Sequence, residues 1–174
     1  IMKRIFTLLI LVVISAITMN LSAQSIVGKW NADNNITEQT YKAIGGTLEK
    51  CVSTMTFNED GTSYTQGEII VLIPVTTDVT MRMSAVITES STWKIDGNNI
   101  TINSIDIAVD GGITFSDPAF NSQAGPIWEA MMQQITSAEG TSSEYNLEFF
   151  SDNEAKMSLT VNDLTLEYLL SRIE

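Results

Sequence analysis

The chain has 174 residues, with 9 basic against 21 acidic side chains, no histidine, one cysteine and three prolines. That length suits one domain with a real core, and at 44% hydrophobic and 17% charged it is too apolar to be disordered. A net charge of −12 excludes a phosphate-tracking surface for nucleic acid and a face that docks on anionic lipid, and the missing histidines remove every Ser-His, Cys-His and His-metal arrangement.

Lys3 and Arg4 precede an apolar run from Ile5 to Met19, followed by Asn20-Leu21-Ser22-Ala23. A basic start, a short apolar stretch and a small-residue exit are the parts of a secretory signal. The run is shorter than the about 20 apolar residues of a membrane-spanning helix. Residues 1–23 are therefore expected to be a signal peptide cut after Ala23, leaving an exported domain over 24–174, periplasmic or secreted. Lys3 and Arg4 leave with the signal, so the mature net charge moves from −12 to −14. Cys51 lies far from that cut and is not a lipid-bearing first residue. A single cysteine forms no internal disulfide, so stability must come from packing.

Two helices are expected. Asn35 and Glu38 have capping-box spacing, and Tyr41, Ile44, Leu48 and Cys51 follow at helical intervals. Gly45-Gly46 marks either a break in this first helix or a close approach to the sheet, and Cys51 falls on its apolar face, which favours a buried core thiol over a surface thiol able to dimerise. The second helix is expected from Pro126, a good first helical residue, to about Ala138, with Ile127, Met131 and Ile135 on one face and Gly140 ending it.

The rest has the period of strands. Val79, Met81, Met83, Ala85 and Ile87 alternate with Thr80, Arg82, Ser84 and Val86, and Met157, Leu159 and Val161 alternate with Ser158 and Thr160. One face is then buried and the other wet, as in antiparallel sheets. Asn58-Glu59-Asp60-Gly61, Asp96-Gly97-Asn98-Asn99, Asp110-Gly111-Gly112, Ser151-Asp152-Asn153-Glu154 and Asn162-Asp163 mark reversals. Between Ile102 and Ile105 the apolar phase switches, which predicts a bulge near Asn103-Ser104. Eight to ten strands in one domain suit a closed barrel or a sandwich.

The expected first strand opens with Ile26-Val27-Gly28-Lys29-Trp30. A Gly-x-Trp here, then a helix, then Met55-Thr56-Phe57-Asn58-Glu59-Asp60-Gly61-Thr62 and Thr92-Trp93-Lys94-Ile95-Asp96-Gly97-Asn98, resembles lipocalins and their calycin relatives. It looks like the small lipocalin-like proteins exported by Bacteroidetes, over most of residues 25–174. The resemblance implies a mainly β fold, an antiparallel lipocalin-like barrel with one or two short helices. It also implies that Trp30 closes the barrel floor, with Arg172 near the end of the chain packed across it in a cation–π pair. Gly28, Trp30 and Arg172 would thus be structural. The chain departs from typical lipocalins in having no disulfide and in the helix after its first strand.

Carboxylates are the only plentiful titratable groups, and no motif frames a pair of them for acid–base work. Asp60, Asp96 and Asp110 sit at turns, where Asp is favoured for its local hydrogen bonds. No Asp-x-Asp-x-Asp-Gly run is present, so no calcium loop is expected, and no cofactor or metal either. Cys51 has no histidine to activate it. The apolar set Met55, Met81, Met83, Met131, Met132 and Met157, with Trp93, Trp128, Phe149 and Tyr168, suits either an ordinary core or an irregular apolar ligand. Met81, Arg82, Met83, Trp93, Trp128 and Met131 are the candidate ligand-binding residues. Arg82 either points inward as an anchor for an acidic head group or, as the alternation favours, outward into solvent. The expected function is a non-enzymatic module holding a small apolar or amphipathic molecule. Two alternatives stand beside it: a protein-interaction or inhibitory module working through rim loops and helices, for which exposed Trp128 or Met132 would speak, and a carboxylate-dependent enzyme, for which a buried Asp or Glu inside a cavity would speak.

Overall fold

A computed structural model describes residues 26–34, 42, 45–161 and 164–173. The expected signal peptide, most of the expected first helix and the Asn162-Asp163 turn lie outside the described residues.

Eight antiparallel strands close into one barrel in chain order, each paired with its sequence neighbours and the last with the first. They are β1 (Gly28–Asn34), β2 (Thr47–Phe57), β3 (Thr62–Pro74), β4 (Thr80–Asp96), β5 (Asn99–Phe115), β6 (Ser142–Ser151), β7 (Glu154–Val161) and β8 (Leu164–Arg172). Among the described residues a helix of 16 residues, α1 (Asn121–Thr136), follows a 3₁₀ turn, Pro118–Phe120. Closure leaves no unpaired sheet edge along most of the strands. The turns at 58–61, 96–99 and 151–154 fall where the sequence places them. In the first, Gly61 has φ +81°, while the Asp60 carboxylate accepts from the Thr62 N–H at 2.9 Å and from its hydroxyl at 2.6 Å.

Four expectations are corrected. Leu48 and Cys51 lie on β2, not on a helix, and Cys51 is exposed rather than buried. The physical reason is a bulge. Leu48 pairs with Val71 but Lys50 pairs with Ile70, so Glu49 is an extra residue that puts Leu48 and Cys51 on one strand face three positions apart. That spacing imitates a helical turn. Next, the second helix begins at Asn121, five residues before Pro126, which lies inside it. Its start is set upstream, where Asp117 Oδ1 accepts from the Ala119 N–H at 2.9 Å and Pro118 opens the 3₁₀ turn that runs into the helix. Finally, Asp110-Gly111-Gly112 is no reversal: β5 runs straight through it against β4. Gly111 has φ +147°, and a Cβ there would strike the Ser84 carbonyl oxygen, so glycine is used for close approach of two backbones rather than for a turn.

The bulge expected near Asn103-Ser104 is present one residue on. Ser104 pairs with Ser91 and Asp106 with Ser90, leaving Ile105 unpaired and exposed. The inward face of β5 therefore passes from Ile100, Ile102 and Ser104 to Ile107 and Ile113.

Two apolar clusters result. The first fills the floor with Ile26, Trp30, Ala32, Met55, Phe57, Ile100, Leu147, Ala155, Met157 and Leu170. The second lies where β3, β4 and β5 run beyond the shorter strands. There Val71, Met83 and Ile113 are covered by Ala124, Ile127, Trp128 and Met131 of α1, spaced three, four and seven residues from Ala124 so that one helix face meets the sheet. Beyond its short pairing with β6, the β5 edge is met by the segment after α1: the Ser104 N–H donates to Thr141 O and the Gly140 N–H to Ser104 O, both at 3.0 Å, and the Glu139 carboxylate accepts from the Ile107 N–H at 3.1 Å.

Candidate functional site

Between the two clusters the strands line a cavity of about 360 Å³ that is partly open to solvent. Its walls are residues of every strand, mostly inward positions but also Val52 and Glu68, with Ala138 and Thr141 from the segment after α1. The apolar share comes chiefly from Met55, Phe57, Ile69, Ile87, Ile102 and Met157, and the polar share from the carboxylates Glu68 and Glu89 with Ser53, Ser63, Thr65, Ser104, Ser143 and Tyr145. The void has a local cause. Along β2 and β3 the inward residues Ser53, Ser63, Thr65 and Gly67 are small, so the wall is thin where the floor carries Trp30 and Phe57. Cys51 also lines the cavity.

Three polar features stand on one wall. Glu89 on β4 is half-buried and accepts at Oε1 from the Ser91 hydroxyl at 2.9 Å. Across the β4–β5 ladder Ser91 faces Ser104, whose buried hydroxyl is without a hydrogen-bond partner among the described residues. A buried polar group left unsatisfied destabilises the fold, so this hydroxyl is an available contact for a molecule in the cavity. The third is Tyr145, whose phenol is pushed above its ordinary value by burial and, in the same direction, by the Glu89 carboxylate, while a hydrogen bond with Ser143 opposes this. Tyr145 is thus a neutral hydroxyl near neutral pH.

None of the six candidate ligand-binding residues lines this cavity. Met81, Met83, Trp128 and Met131 pack together in the second cluster under the helix. Trp93 packs on the floor edge-to-face with Phe57 at 5.7 Å, and its indole N–H donates to Thr62 O at 3.0 Å. Arg82 points outward, 45% exposed, and pairs with Glu49 at 3.5 Å. Trp128 and Met132 are half-buried rather than exposed. Sequence reasoning missed Glu89 and Ser104, yet Glu89 was legible: it stands in phase with Met83, Ala85 and Ile87 on the apolar face of its strand, where a carboxylate is out of place.

The structural trio does come together. Trp30 is fully buried, pairs with Arg172 across the β1–β8 seam, and donates from its indole to Ile26 O at 2.7 Å. The Arg172 guanidinium stands over the Trp30 ring at 4.2 Å, with Nη1 donating to Val27 O at 2.8 Å and Nε to Asp152 O at 2.9 Å. Gly28 has φ +129°, and a Cβ on it would come within 2.5 Å of Arg172 Nη1. The glycine of Gly-x-Trp therefore makes room for the arginine that covers the tryptophan.

Among the described residues no group of three His, Cys, Asp or Glu is placed to hold a metal ion, and no helix is long and apolar enough to cross a membrane. No protein-family model and no curated protein matches the chain.

Proposed function

We propose that the chain is an exported, lipocalin-like binding protein that carries a small amphipathic molecule inside its barrel. The observation that carries this reading is the cavity of about 360 Å³ walled by both apolar side chains and unsatisfied or half-buried polar ones. Its volume falls in the range of small-molecule sites, which pair apolar walls with a few polar anchors. The floor built from Gly28, Trp30 and Arg172 supports the lipocalin-like assignment, and Lys3, Arg4 and the apolar run after them support export.

Gly67 supplies the test. It lines the cavity, and a Cβ there meets nothing nearer than 3.7 Å, so Gly67→Leu fills the void with an apolar side chain. Native mass spectrometry of protein purified from its own host is expected to show a bound small molecule in the wild type and none in Gly67→Leu. A wild-type mass equal to the chain alone, with no thermal shift from any amphiphile, would remove the reading. The same spectrum reads the export proposal, since a mature chain starts at Gln24.

Glu89 also favours a second reading, a carboxylate-dependent enzyme, because it is a half-buried acid inside a cavity. It predicts turnover of the bound molecule that Glu89→Gln abolishes; a molecule recovered chemically unchanged after prolonged incubation argues for the binder.

A further inference from the structure

We propose that the cavity selects an amine: a ligand with a cationic, hydrogen-bond-donating head carried on an apolar body, anchored by the Glu89 carboxylate. This rests on reading the barrel as a binder and adds the charge and chemistry of what it binds.

The argument is an inventory of charge along the cavity wall. Among the described residues two carboxylates line it, Glu68 and Glu89, and no lysine or arginine does; the chain has no histidine. Glu89 points inward, in phase with Met83 and Ala85, and its register partners on the flanking strands are Thr65 on β3 and Ile107 on β5. Among the described residues it has no basic partner, only the Ser91 hydroxyl. The second carboxylate that lines the cavity, Glu68, is already neutralised by Lys50 at 2.7 Å, and Arg82 is committed to Glu49 at 3.5 Å. A half-buried carboxylate without a counter-charge has lost part of its hydration without compensation. An anionic ligand would add repulsion to that loss. A neutral chain would deepen it by driving out the remaining water. An ammonium head instead supplies both the charge and the donors that the carboxylate lacks, and charge-assisted hydrogen bonds are the strong ones.

The remaining polar groups fit the same head. Ser104 presents a hydroxyl oxygen with no partner among the described residues, more than nine-tenths buried, opposite Ser91 on the next strand. It sits directly before the Ile105 bulge, a device that re-aims a side chain beside a site. Tyr145, close enough to feel the Glu89 charge, stays a neutral phenol and accepts or donates as needed. Glu89, Ser104 and Tyr145 together offer an ammonium three oxygen acceptors. Below them Met55, Phe57 and Met157 receive an apolar body. A cavity of 150 Å³ takes one benzene, so about 360 Å³ accommodates a chain or ring system of about twice that bulk.

Isothermal titration of the purified protein with decylamine, decanol and decanoate separates head from body, since the three share one chain. Decylamine is expected to bind at least about tenfold more tightly than decanoate. In Glu89→Gln, which keeps an acceptor for Ser91, the two are expected within about twofold of each other. Ser104→Ala should weaken decylamine and decanol alike. Decanoate binding as tightly as decylamine to the wild type overturns the inference, as does an amine preference that survives Glu89→Gln, while decanol binding leaves the binder reading standing. The wild-type comparison decides even if Glu89→Gln fails to fold. If none of the three probes binds the wild type, the binder reading falls, and the charge assignment with it.

Discussion

Replacing Arg172 with alanine tests whether the floor of the barrel is held as one unit. The guanidinium stands over the Trp30 ring at 4.2 Å and donates to Val27 O at 2.8 Å and Asp152 O at 2.9 Å. A cation over an indole at a partly covered site contributes about 1 kcal/mol. The bond to Val27, being part-buried and charge-assisted, contributes about 1.5 kcal/mol, and the exposed one to Asp152 about 0.5 kcal/mol. Arg172→Ala is therefore expected to destabilise by about 3 kcal/mol. With a urea slope of about 2 kcal/mol/M for a domain of this size, the unfolding midpoint drops by about 1.5 M. Gly28→Ala supplies the second arm. It places a Cβ 2.5 Å from Arg172 Nη1 and holds alanine at φ +129°, so it is destabilising by displacement of the arginine and by backbone strain of about 1–3 kcal/mol. In the Arg172→Ala background only the strain remains, and the double variant should be about 1–2 kcal/mol more stable than the single costs sum to. Urea titrations of the four proteins, followed by tryptophan fluorescence, give the cycle. Strict additivity together with an Arg172→Ala loss below about 1 kcal/mol would refute the account of the floor.

Gly111→Ala forces a Cβ into the Ser84 carbonyl at a φ of +147°, so it should cost more than about 3 kcal/mol; a far-ultraviolet dichroism melt matching the wild type would contradict the described β4–β5 approach. Ser104→Ala removes a buried hydroxyl that has no partner among the described residues, and the empty protein should be unchanged or more stable by up to about 1 kcal/mol, whereas a clear loss in thermal midpoint would show that the hydroxyl is bonded. For Asp60, the Thr62 hydroxyl and N–H hold the carboxyl below its usual 3.8. Because the folded-state value is the lower one, the stabilisation is complete above the unfolded value and fades as pH falls through the folded one. Asp60→Asn should thus lie below the wild type in urea midpoint at neutral pH and converge with it under acid conditions beneath pH 3.8; a gap that widens on acidification would reverse the sign.

The strands were legible wherever one face is apolar and the turn chemistry is local. Val79 to Ile87 alternate because β4 is buried on one side, and Asn58–Gly61 and Asp96–Asn99 carry the residues their reversals need. Departures arise where an irregularity shifts the period. Ile105 left a readable trace, since the apolar positions change phase around it. Glu49 did the same on β2, but there the shift gave Leu48 and Cys51 a spacing of three, which reads equally well as a helix. Nothing local separates the two meanings, because only the pairing with Val71 and Ile69 on β3 decides it. Gly111 suggests a turn for a similar reason: a glycine that permits a reversal and one that permits two backbones to touch are identical in sequence.

The cavity was harder to see because a void is a property of opposing walls. Methionine and tryptophan looked like ligand contacts, yet large flexible side chains fill space, and Met81, Met83, Trp128 and Met131 do so beneath the helix. The open volume lies where the inward residues are small, at Ser53, Ser63, Thr65 and Gly67. Phase on β4 nevertheless carried the sign of the site. Arg82 and Glu89 are an odd number of positions apart, so an uninterrupted strand must send them to opposite faces. Once Met83 and Ala85 are buried, the arginine goes out and the glutamate goes in. The inner wall then carries a negative charge, whereas an acidic head group would have needed the arginine there.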